Sequence, residues 1–445
     1  MKKWQKVLIW VAVALIVIFC GLMYLKNYFL VTAGDIVEKA GVIPAVQEPL
    51  TKFDSAGYGW EAWRGADNKN TAGIKGIKTD WSKGLEKAWG VDYLCQGAKA
   101  VTWSCPVISG NRLVVPGRDE ENDLIFCLDP KTGALLWMKK FPMPADINYG
   151  RGPRATPLIV GDFVYTISRT GVMYCLALFD GALAWEFDSR KEGGKPHTWG
   201  LASSPVLFKN TIIMQVGGAS LLYALDKKTG KIIWRSEAGF GSYATPVLIE
   251  VKGAAQLAVF FRDSISGFNP VDGKKLWNMP WGKNNDLNIT TPVFDNGKLF
   301  VTTFYTESGL LDLTTAEPSI LWKNKKFGAH HTDPFITDGY IYGYTGFSSQ
   351  NSGSFMCLSL KDGSIQWQSG EMGWGTCIMA DGYLVCQDNK GALFLVKPDP
   401  KKLIVVTKFP AAMPEVKTHT WTKPVIAQDM IYLRHGNWLL AYKLK

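Results

Sequence analysis

The sequence lacks several features that mark common classes of protein. No run of Lys or Arg is longer than two, although the net charge is +10, and this argues against a basic arm that binds nucleic acid. Only five histidines occur, and no Cys-x-x-Cys-His motif is present, so a covalently attached haem is excluded. We therefore expect no nucleic-acid partner and no haem-borne electron acceptor.

Charge is also absent from one long stretch near the N-terminus. Residues 7–25 are 19 consecutive uncharged, mostly apolar positions behind three Lys, and at about 1.5 Å rise per residue a helix of this length crosses a bilayer. We expect residues 1–30 to be a signal anchor with one transmembrane helix in the cytoplasmic (inner) membrane. The Lys residues place the N-terminus in the cytoplasm and the rest of the chain in the periplasm or otherwise outside the cytoplasm. A cleaved signal peptide or a lipoprotein signal at Cys20 is the alternative. Residues 31–57 show only weak periodicity and are expected to be a linker.

A repeated pattern of Gly followed by Trp organises the rest of the chain. In the clearest copy, Asp226, Thr229 and Gly230 form a polar turn, and Trp234 ends the strand that follows. Equivalent Trp residues occur at positions 137, 185, 234, 277, 322 and 367, spaced 43 to 49 residues apart, and the copy that ends at Trp322 lacks the Gly. This period is typical of blades made of four short strands.

The starts of the repeats give the number of blades. Each unit begins with a short apolar strand after Pro, at positions 106, 157, 205, 246, 292, 334 and 424, with Cys377 in the remaining slot. Turn formers such as Asp381-Gly382 follow and predict two-residue hairpins, although 251–256 in the fourth unit predicts a longer loop. We therefore expect residues 58–445 to form one all-β, eight-bladed β-propeller with four-stranded antiparallel blades.

The two ends of the repeat array are expected to meet. The last unit, 424–445, has length for only three strands, while an extra copy of the outer strand surrounds Trp89, one period before Trp137. We expect the strand around Trp89 to complete the C-terminal blade, because closing the ring removes open sheet edges. The segment 60–65, with Trp60, Trp63 and Arg64, is expected to be a strap packed over one end of the repeats.

The repeat resembles that of a known family. Ala224, Asp226, Thr229, Gly230 and Trp234 match the pattern Ala-x-Asp-x-x-Thr-Gly-x-x-x-Trp of the eight-bladed propellers named for pyrroloquinoline quinone (PQQ) enzymes. The resemblance implies the propeller fold, but the family includes both quinone-dependent dehydrogenases and non-enzymatic members such as the propeller lipoprotein of the outer-membrane protein assembly machinery. The repeat alone does not distinguish these functions.

The enzymatic members of the family use residues and a metal site that this sequence provides poorly. Those that oxidise alcohols use a pair of adjacent Cys, a calcium ion and an Asp base, and no adjacent Cys pair occurs here. The main acidic candidates in the loops that lead into the inner strands are Asp286 and Asp333, too few for calcium, which needs six or more ligands. We expect no catalytic residue, no metal, and neither PQQ nor calcium as cofactor. The alternative is a quinone-dependent dehydrogenase or another small-ligand-binding protein that uses the channel mouth.

The loops that lead into the inner strands form one mouth of the central channel and gather aromatic, cationic and amide side chains. Such residues suit the binding of a protein segment or a planar or anionic group, but they could equally fill the funnel. Adjacent histidines on a strand point to opposite faces, so His330 and His331 are not expected to share a metal. We expect a membrane-anchored binding or scaffolding module with a protein partner in the cell envelope. The candidate binding face comprises Trp103, Arg151, Arg154, Trp199, Tyr243, Asn288, His330, His331, Trp374, His419 and Trp421.

Two pairs of cysteines are candidates for disulfides. If Asp381-Gly382 is the hairpin turn, Cys377 and Cys386 face each other at a non-hydrogen-bonded position, where side chains approach closely. Outside the cytoplasm a disulfide there is plausible, and Cys95 with Cys105 is a second candidate. Other cysteines that occupy the slot of Ala224, namely Cys127, Cys175 and Cys357, are expected to be buried thiols.

Overall fold

A computed structural model describes residues 40–45, 59–65, 68–97, 100–143, 150–282, 288–304, 306–346, 353–414 and 419–445. The predicted transmembrane segment 7–25 and nearly all of the predicted linker lie outside these residues. Within the described part of the chain, no helix has the length and apolar character needed to cross a bilayer.

Eight sheets make up the fold, and each carries the four antiparallel strands of one blade. Two strands, β1 (Thr71–Ala72) and β2 (Lys87–Val91), precede the first complete blade. Blade 1 comprises β3 (Val107–Ser109), β4 (Arg112–Arg118), β5 (Asn122–Leu128) and β6 (Leu135–Pro142). Blade 2 comprises β7 (Leu158–Val160), β8 (Phe163–Ile167), β9 (Val172–Ala177) and β10 (Leu183–Asp188), followed by a short 3-10 helix, Ser189–Glu192. Blade 3 comprises β11 (Val206–Phe208), β12 (Thr211–Gln215), β13 (Leu222–Asp226) and β14 (Ile232–Arg235).

The remaining blades repeat this order. Blade 4 comprises β15 (Val247–Val251), β16 (Ala254–Phe260), β17 (Ser264–Phe268) and β18 (Lys275–Pro280). Blade 5 comprises β19 (Val293–Asp295), β20 (Lys298–Thr302), β21 (Ser308–Asp312) and β22 (Ser319–Asn324). Blade 6 comprises β23 (Phe335–Thr337), β24 (Tyr340–Thr345), β25 (Ser354–Ser359) and β26 (Ile365–Ser369). Blade 7 comprises β27 (Gly375–Ala380), β28 (Tyr383–Asp388), β29 (Leu393–Lys397) and β30 (Ile404–Phe409).

Blade 8 is built from both ends of the repeat array. Its strands β31 (Val425–Ala427), β32 (Met430–His435) and β33 (Trp438–Lys443) come from the C-terminus. The outer place is taken by β2, which pairs antiparallel with β33 and brings Trp89 opposite Ala441. An N-terminal strand and the C-terminal strands therefore share one sheet, so the ring closes without a free end.

A repeated Trp joins six of the blades to the next one. Trp89 Nε1 in blade 8 donates to the carbonyl oxygen of Pro130 in blade 1 at 2.9 Å, and a Cβ added to Gly133 would lie 2.6 Å from the indole of Trp89. The Gly is required because a side chain there would collide with the ring. The same donation crosses from Trp137 to Leu178, Trp185 to Lys227, Trp234 to Pro270, Trp322 to Leu360, and Trp367 to Asp399.

Two-residue turns connect the first and second strands of the blades. At the Asp381-Gly382 turn both residues have positive φ, +50° and +80°, as a type I′ hairpin turn requires. The fourth unit was expected to differ, and this expectation is wrong. Val251 pairs directly with Ala254 across the two-residue turn Lys252-Gly253. The extra residues lengthen strands β15 and β16 instead of the loop.

Each blade also carries a β-bulge in its outer strand. In each outer strand, one residue has no partner on the neighbouring strand, and the pairing register shifts there. This residue comes just before the repeated Trp, or, in the blade without that Trp, before the residue at the same position. These bulge residues are Ala88, Leu136, Ala184, Ile233, Leu276, Leu321, Gln366 and Val406.

Candidate functional site: the channel and its mouth

The central channel is occupied by the chain's own residues 59–65 and 68–77. Trp60 exchanges backbone hydrogen bonds of 2.8 and 2.9 Å with Ile108 on the inner strand of blade 1. The guanidinium of Arg64 donates to the carbonyl oxygen of Pro292, at the start of the inner strand of blade 5, at 3.0 Å. Blades 1 and 5 lie opposite each other in an eight-bladed ring, so a segment this short reaches both only through the centre. The expectation of a strap over one end is therefore corrected.

The same segment then follows the inner strand of blade 7. Asn70 Nδ2 donates to the carbonyl oxygen of Cys377 at 3.1 Å, and β1 pairs in parallel with β27 through Thr71 and Met379. The backbone N–H of Gly76 donates to Asp381 Oδ2 in the turn after β27 at 2.8 Å. The segment thus extends along β27 as far as the hairpin turns at the opposite end of the ring.

Buried charges hold this channel segment against the wall. One carboxylate oxygen of Asp333 lies 3.9 Å from Arg64 Nε and 3.6 Å from Lys423 Nζ, and all three side chains are at most 4% exposed. Lys423 Nζ also lies 3.6 Å from the ring centroid of Trp63, a cation–π contact. Burial lowers the pKa of Lys423 to about 8, and the carboxylate of Asp333 opposes that shift. Removing one partner would leave a buried charge without compensation.

This arrangement does not fit a bound calcium ion. Calcium takes six to eight oxygen ligands, whereas one oxygen of Asp333 faces two cations and the other accepts the backbone N–H of Thr291 at 3.1 Å. Among the described residues, no group of three or more His, Cys, Asp or Glu is placed to hold a metal ion. Asp286, the other acidic candidate, lies outside the described residues. The surroundings of Asp333 therefore position Trp63 and Arg64 of the channel segment, and both carboxylate oxygens are already engaged.

Most of the predicted binding face converges into one aromatic cluster at the mouth. Trp421 stacks nearly parallel to His331, with centroids 4.0 Å apart, and to His419 at 5.0 Å. Trp103 lies 4.7 Å from Trp421, and the guanidinium of Arg154 lies 4.9 Å above Trp103. Because these rings stack on one another, a planar ligand would have to displace side chains to stack on Trp421.

A second part of the cluster lies beside Arg154. Arg154 Nε donates to the carbonyl oxygen of Trp199, whose ring lies 5.9 Å from that of Tyr243. Burial lowers the pKa of Arg154 to about 9, which leaves it cationic at neutral pH. The mouth therefore holds a positive guanidinium that lies over the indole of Trp103 and is bonded to the backbone of Trp199.

The adjacent histidines do not behave as strand neighbours. His331 has φ of +58°, in the left-handed region, so the alternation of a strand does not apply and the two rings meet, with Nδ1 atoms 3.0 Å apart. The expectation that they point to opposite faces is wrong for this reason. Burial lowers the pKa of His330 to about 3 and that of His419 to about 4, and it holds the pKa of His331 well below its usual value. All three imidazoles are therefore neutral at pH 7.

The other predicted residues have different positions. Asn288 is buried and ties two loops together: its carbonyl oxygen accepts the N–H of Tyr243 at 3.2 Å, and its amide donates to the carbonyl oxygen of Arg262 at 3.2 Å. Trp374 is 1% exposed and packs against Gly353, so it belongs to the interior. Arg151 is half-buried. Asn288 and Trp374 therefore support the mouth rather than offer a binding surface.

The sequence analysis missed four residues of this region. His197 packs edge-on to Tyr243 with centroids 5.2 Å apart, Phe304 lies 5.6 Å from His330, and Thr420 lies 3.3 Å from His435 Nδ1. All five histidines of the chain consequently lie in or beside the mouth. The scarcity of His in a chain of 445 residues was the signal that would have drawn attention to His197 and His435.

The cysteine pair of blade 7 has the predicted register. Cys377 pairs with Cys386 directly across β27 and β28, and both are buried thiols in this structure. Burial raises the pKa of Cys377, so the folded protein presents it mainly as the unreactive thiol. Cys95 lies 3.9 Å from Arg434 Nη2, while the thiol of Cys105 contacts the carbonyl oxygen of Lys423. A disulfide in either pair remains a prediction.

Comparisons with known proteins agree with this architecture. The family model described as "Outer membrane protein assembly factor BamB" matches residues 125–369. BamB from Yersinia pestis is 24% identical over 340 residues, which are 71% of this chain and 78% of that protein.

Solved structures show the same fold at low sequence identity. The crystal structure of BamB from Moraxella catarrhalis has a TM-score of 0.57 at 12% identity and covers 81% of this chain and 98% of its own. Quinohemoprotein alcohol dehydrogenase from Comamonas testosteroni has a TM-score of 0.64 at 11% identity, covering 87% and 80%. Because the fold is shared by an assembly factor and an alcohol dehydrogenase, these structures do not assign an activity. The family model, however, covers more than half of the sequence, and the chain therefore belongs to the PQQ-like eight-bladed propeller family described as outer membrane protein assembly factor BamB.

Proposed function

We propose that this protein is an extracytoplasmic scaffold that binds other proteins of the cell envelope, as the description of its family as an assembly factor suggests. Its function would be to bring partners together rather than to transform a substrate. The family membership supports this proposal. Because some relatives are dehydrogenases, an enzymatic activity is the alternative that an experiment has to exclude.

One observation carries the proposal. Trp60, Trp63, Arg64 and the residues that follow them occupy the central channel and contact the inner strands of blades 1, 5 and 7. Asp286 and Asp333 are the candidate carboxylates for a catalytic base or a calcium ligand, and of these two only Asp333 lies among the described residues. Its carboxylate is held between Arg64 and Lys423. A carboxylate that neutralises two buried cations is a poor general base, because proton uptake would leave those cations unpaired.

The proposed location is the periplasmic side of the inner membrane. Residues 7–25 would act as a single-pass anchor with the N-terminus in the cytoplasm, since three Lys precede the apolar stretch and positive charge favours the cytoplasmic side. The anchor would restrict the propeller to the membrane surface, where partners of the envelope are concentrated.

The proposed binding face is the mouth. Trp199 and Arg151 are partly exposed there, whereas Trp421 and Trp103 are engaged in stacking within the chain. Trp and Arg are enriched at the energetic centres of protein interfaces. Trp199 and Arg151 are therefore the side chains through which we expect the mouth to contact a partner.

Affinity capture from membranes tests this proposal with the full-length, anchored chain. A double variant, Trp199→Ala with Arg151→Ala, should reduce recovery of the mouth partner about tenfold or more, since interface centres contribute about 2 kcal/mol or more each. The matched control is Lys361→Ala, an exposed residue in a turn of blade 6. Thermal unfolding of each variant measures whether the fold is retained.

The enzymatic alternative requires a parallel measurement. The purified full-length chain is incubated with PQQ and calcium, and reduction of an artificial electron acceptor is followed with alcohols or sugars as substrates. We expect no turnover. Substrate-dependent reduction that is lost in Asp333→Asn, with the fold intact, would replace the scaffold proposal by the dehydrogenase alternative.

A further inference from the structure

The bulge residues of the outer strands differ in a way that the fold does not require. In blades 3, 4 and 5 the bulge holds Ile233, Leu276 and Leu321, which are 50%, 49% and 45% exposed. Blade 6 has Gln366 in the same place, and blade 2 has Ala184. Because Gln and Ala occupy the same backbone position, packing within a blade does not explain the large apolar side chains of the neighbouring blades.

A pocket lies at the junction of blades 3 and 4, and Lys275, the chain neighbour of Leu276, is part of its lining. The pocket has a volume of about 420 Å³, and its lining includes Leu221, Phe240, Phe261, Lys275, Glu237 and Asp263. The ammonium of Lys275 is paired with the carboxylate of Glu237. Phe240 is 64% exposed, and the guanidinium of Arg262 lies 3.7 Å above its ring. This volume can receive a large side chain of a partner.

We propose that the outer rim of blades 3 to 5 docks an extended acidic segment of a partner protein, with one large apolar side chain of that segment in the pocket beside Phe240. The proposal rests on the scaffold function and identifies a second surface, separate from the mouth, together with the chemistry of its partner. Ile233, Leu276 and Leu321 would provide the apolar contacts along the rim.

Charge favours an acidic partner. The rim segments 226–237, 271–278 and 312–326 contain nine Lys or Arg and five Asp or Glu. Lys228, Lys231, Lys325 and Lys326 are exposed on these segments. Complementary charge steers association and selects partners, so a segment rich in Asp or Glu is favoured, and a second copy of this basic rim is disfavoured by repulsion.

The curvature of the ring favours an extended segment over a lipid surface. Neighbouring blades of an eight-bladed ring point about 45° apart, so the outward directions of blades 3 and 5 differ by about 90°. A flat bilayer that contacts Ile233 cannot also contact Leu321. An extended chain can follow the convex rim and reach all three bulge residues.

Peptide binding tests the chemistry. A fluorescent peptide of about fifteen residues that alternates Glu with Leu and carries one central Phe is titrated against the full-length chain in detergent, beside an equal peptide with Lys in place of Glu. We expect binding of the Glu peptide alone, weakened by salt as charge pairing is screened. The triple variant Ile233→Gln, Leu276→Gln and Leu321→Gln should weaken it at least tenfold, whereas Val406→Gln, at the bulge of blade 7, should not.

Crosslinking in cells tests the partner. A photoreactive residue replaces Ile233, Leu276 or Leu321 and, as control, Gln366. We expect the three rim positions to react with one envelope protein through peptides of net negative charge, and the control to react with none. The proposal would be overturned if both peptides bound equally or if the triple variant bound the Glu peptide as the natural chain does. It would also be overturned if the rim positions crosslinked to a second copy, to lipid alone or to nothing. If one of these results occurs while the triple variant still captures the mouth partner, only this inference fails and the scaffold function stands.

Discussion

Gly133 provides a direct test of the contact that closes the ring. Its φ is +73°, and a Cβ at this position would lie 2.6 Å from Cε3 of Trp89. Gly133→Ala therefore introduces two costs at once, a backbone conformation unfavourable for an L-residue and a collision with the indole that joins blade 8 to blade 1. Gly339→Ala separates them, because Gly339 has φ of +80° with nothing within 4 Å of the added Cβ.

The two variants should differ by the cost of the collision. A left-handed conformation costs Ala about 1–2 kcal/mol, and forcing an extra methyl into a packed contact costs about 1–3 kcal/mol more. We expect Gly339→Ala to lower the free energy of unfolding by about 1–2 kcal/mol and Gly133→Ala by about 2–5 kcal/mol.

Guanidinium unfolding followed by far-ultraviolet circular dichroism measures this difference. Each Gly variant is compared in the natural background, and Gly133→Ala is also compared in a Trp89→Leu background, where the smaller side chain removes the collision. There the cost of Gly133→Ala should fall to that of Gly339→Ala. Equal losses for the two Gly variants, or an unchanged cost beside Leu, would refute the proposed contact between Trp89 and Gly133.

Three further predictions concern the mouth, blade 7 and the N-terminus. The folded-state pKa of His330, about 3, lies below the ordinary 6.5, so protons bind the unfolded chain first, and His330 alone should lower the free energy of unfolding by up to about 1.4 kcal/mol per pH unit from about pH 6.5 towards pH 4. His331 and His419 add to this slope, so His330→Gln should reduce it in urea titrations without abolishing it. Protein recovered from an oxidising compartment should be about 2 Da lighter than its reduced form if Cys377 and Cys386 are joined, and Cys377→Ser should abolish that difference. Protease added to spheroplasts should digest the propeller and spare an N-terminal tag, whereas a protected propeller would reverse the proposed orientation.

The blade architecture could be predicted because its signals are physical necessities of the fold. Trp234 and Gly273 recur at a fixed spacing since the indole of one blade needs a turn without a side chain in the next, where an added Cβ would lie 2.3 Å from the ring. The strand around Trp89 could be placed by the same spacing. The bulge at Ile233 gave no such signal, because Ile, Leu, Ala and Gln all occupy that position in different blades.

The channel segment could not be placed from sequence. It has almost no strand periodicity, and Arg64, Asp333 and Lys423 are far apart in the chain, so nothing local indicates that they meet. Most of the residues named in the loops that lead into the inner strands do lie together, but the contact between His330 and His331 depends on the positive φ of His331. Such a conformation in a non-Gly residue is set by tertiary packing and is rarely visible in the sequence.

The junction of blades 4 and 5 shows how the repeat tolerates the loss of its signature. The turn of blade 5 has no Gly, and Trp277 accordingly donates to Gln256 Oε1 of its own blade at 2.8 Å rather than to blade 5. A different pair takes over, since Trp281 packs over Gly309 of blade 5, where an added Cβ would lie 2.3 Å from its Cη2. At this junction a Trp therefore again faces a residue without a side chain, although the pair comes from different positions in the repeat. Gly309→Ala should on this account destabilise the protein by about 1–3 kcal/mol through collision with Trp281, and a Gly309→Ala protein as stable as the natural chain would show that this junction is held by other contacts.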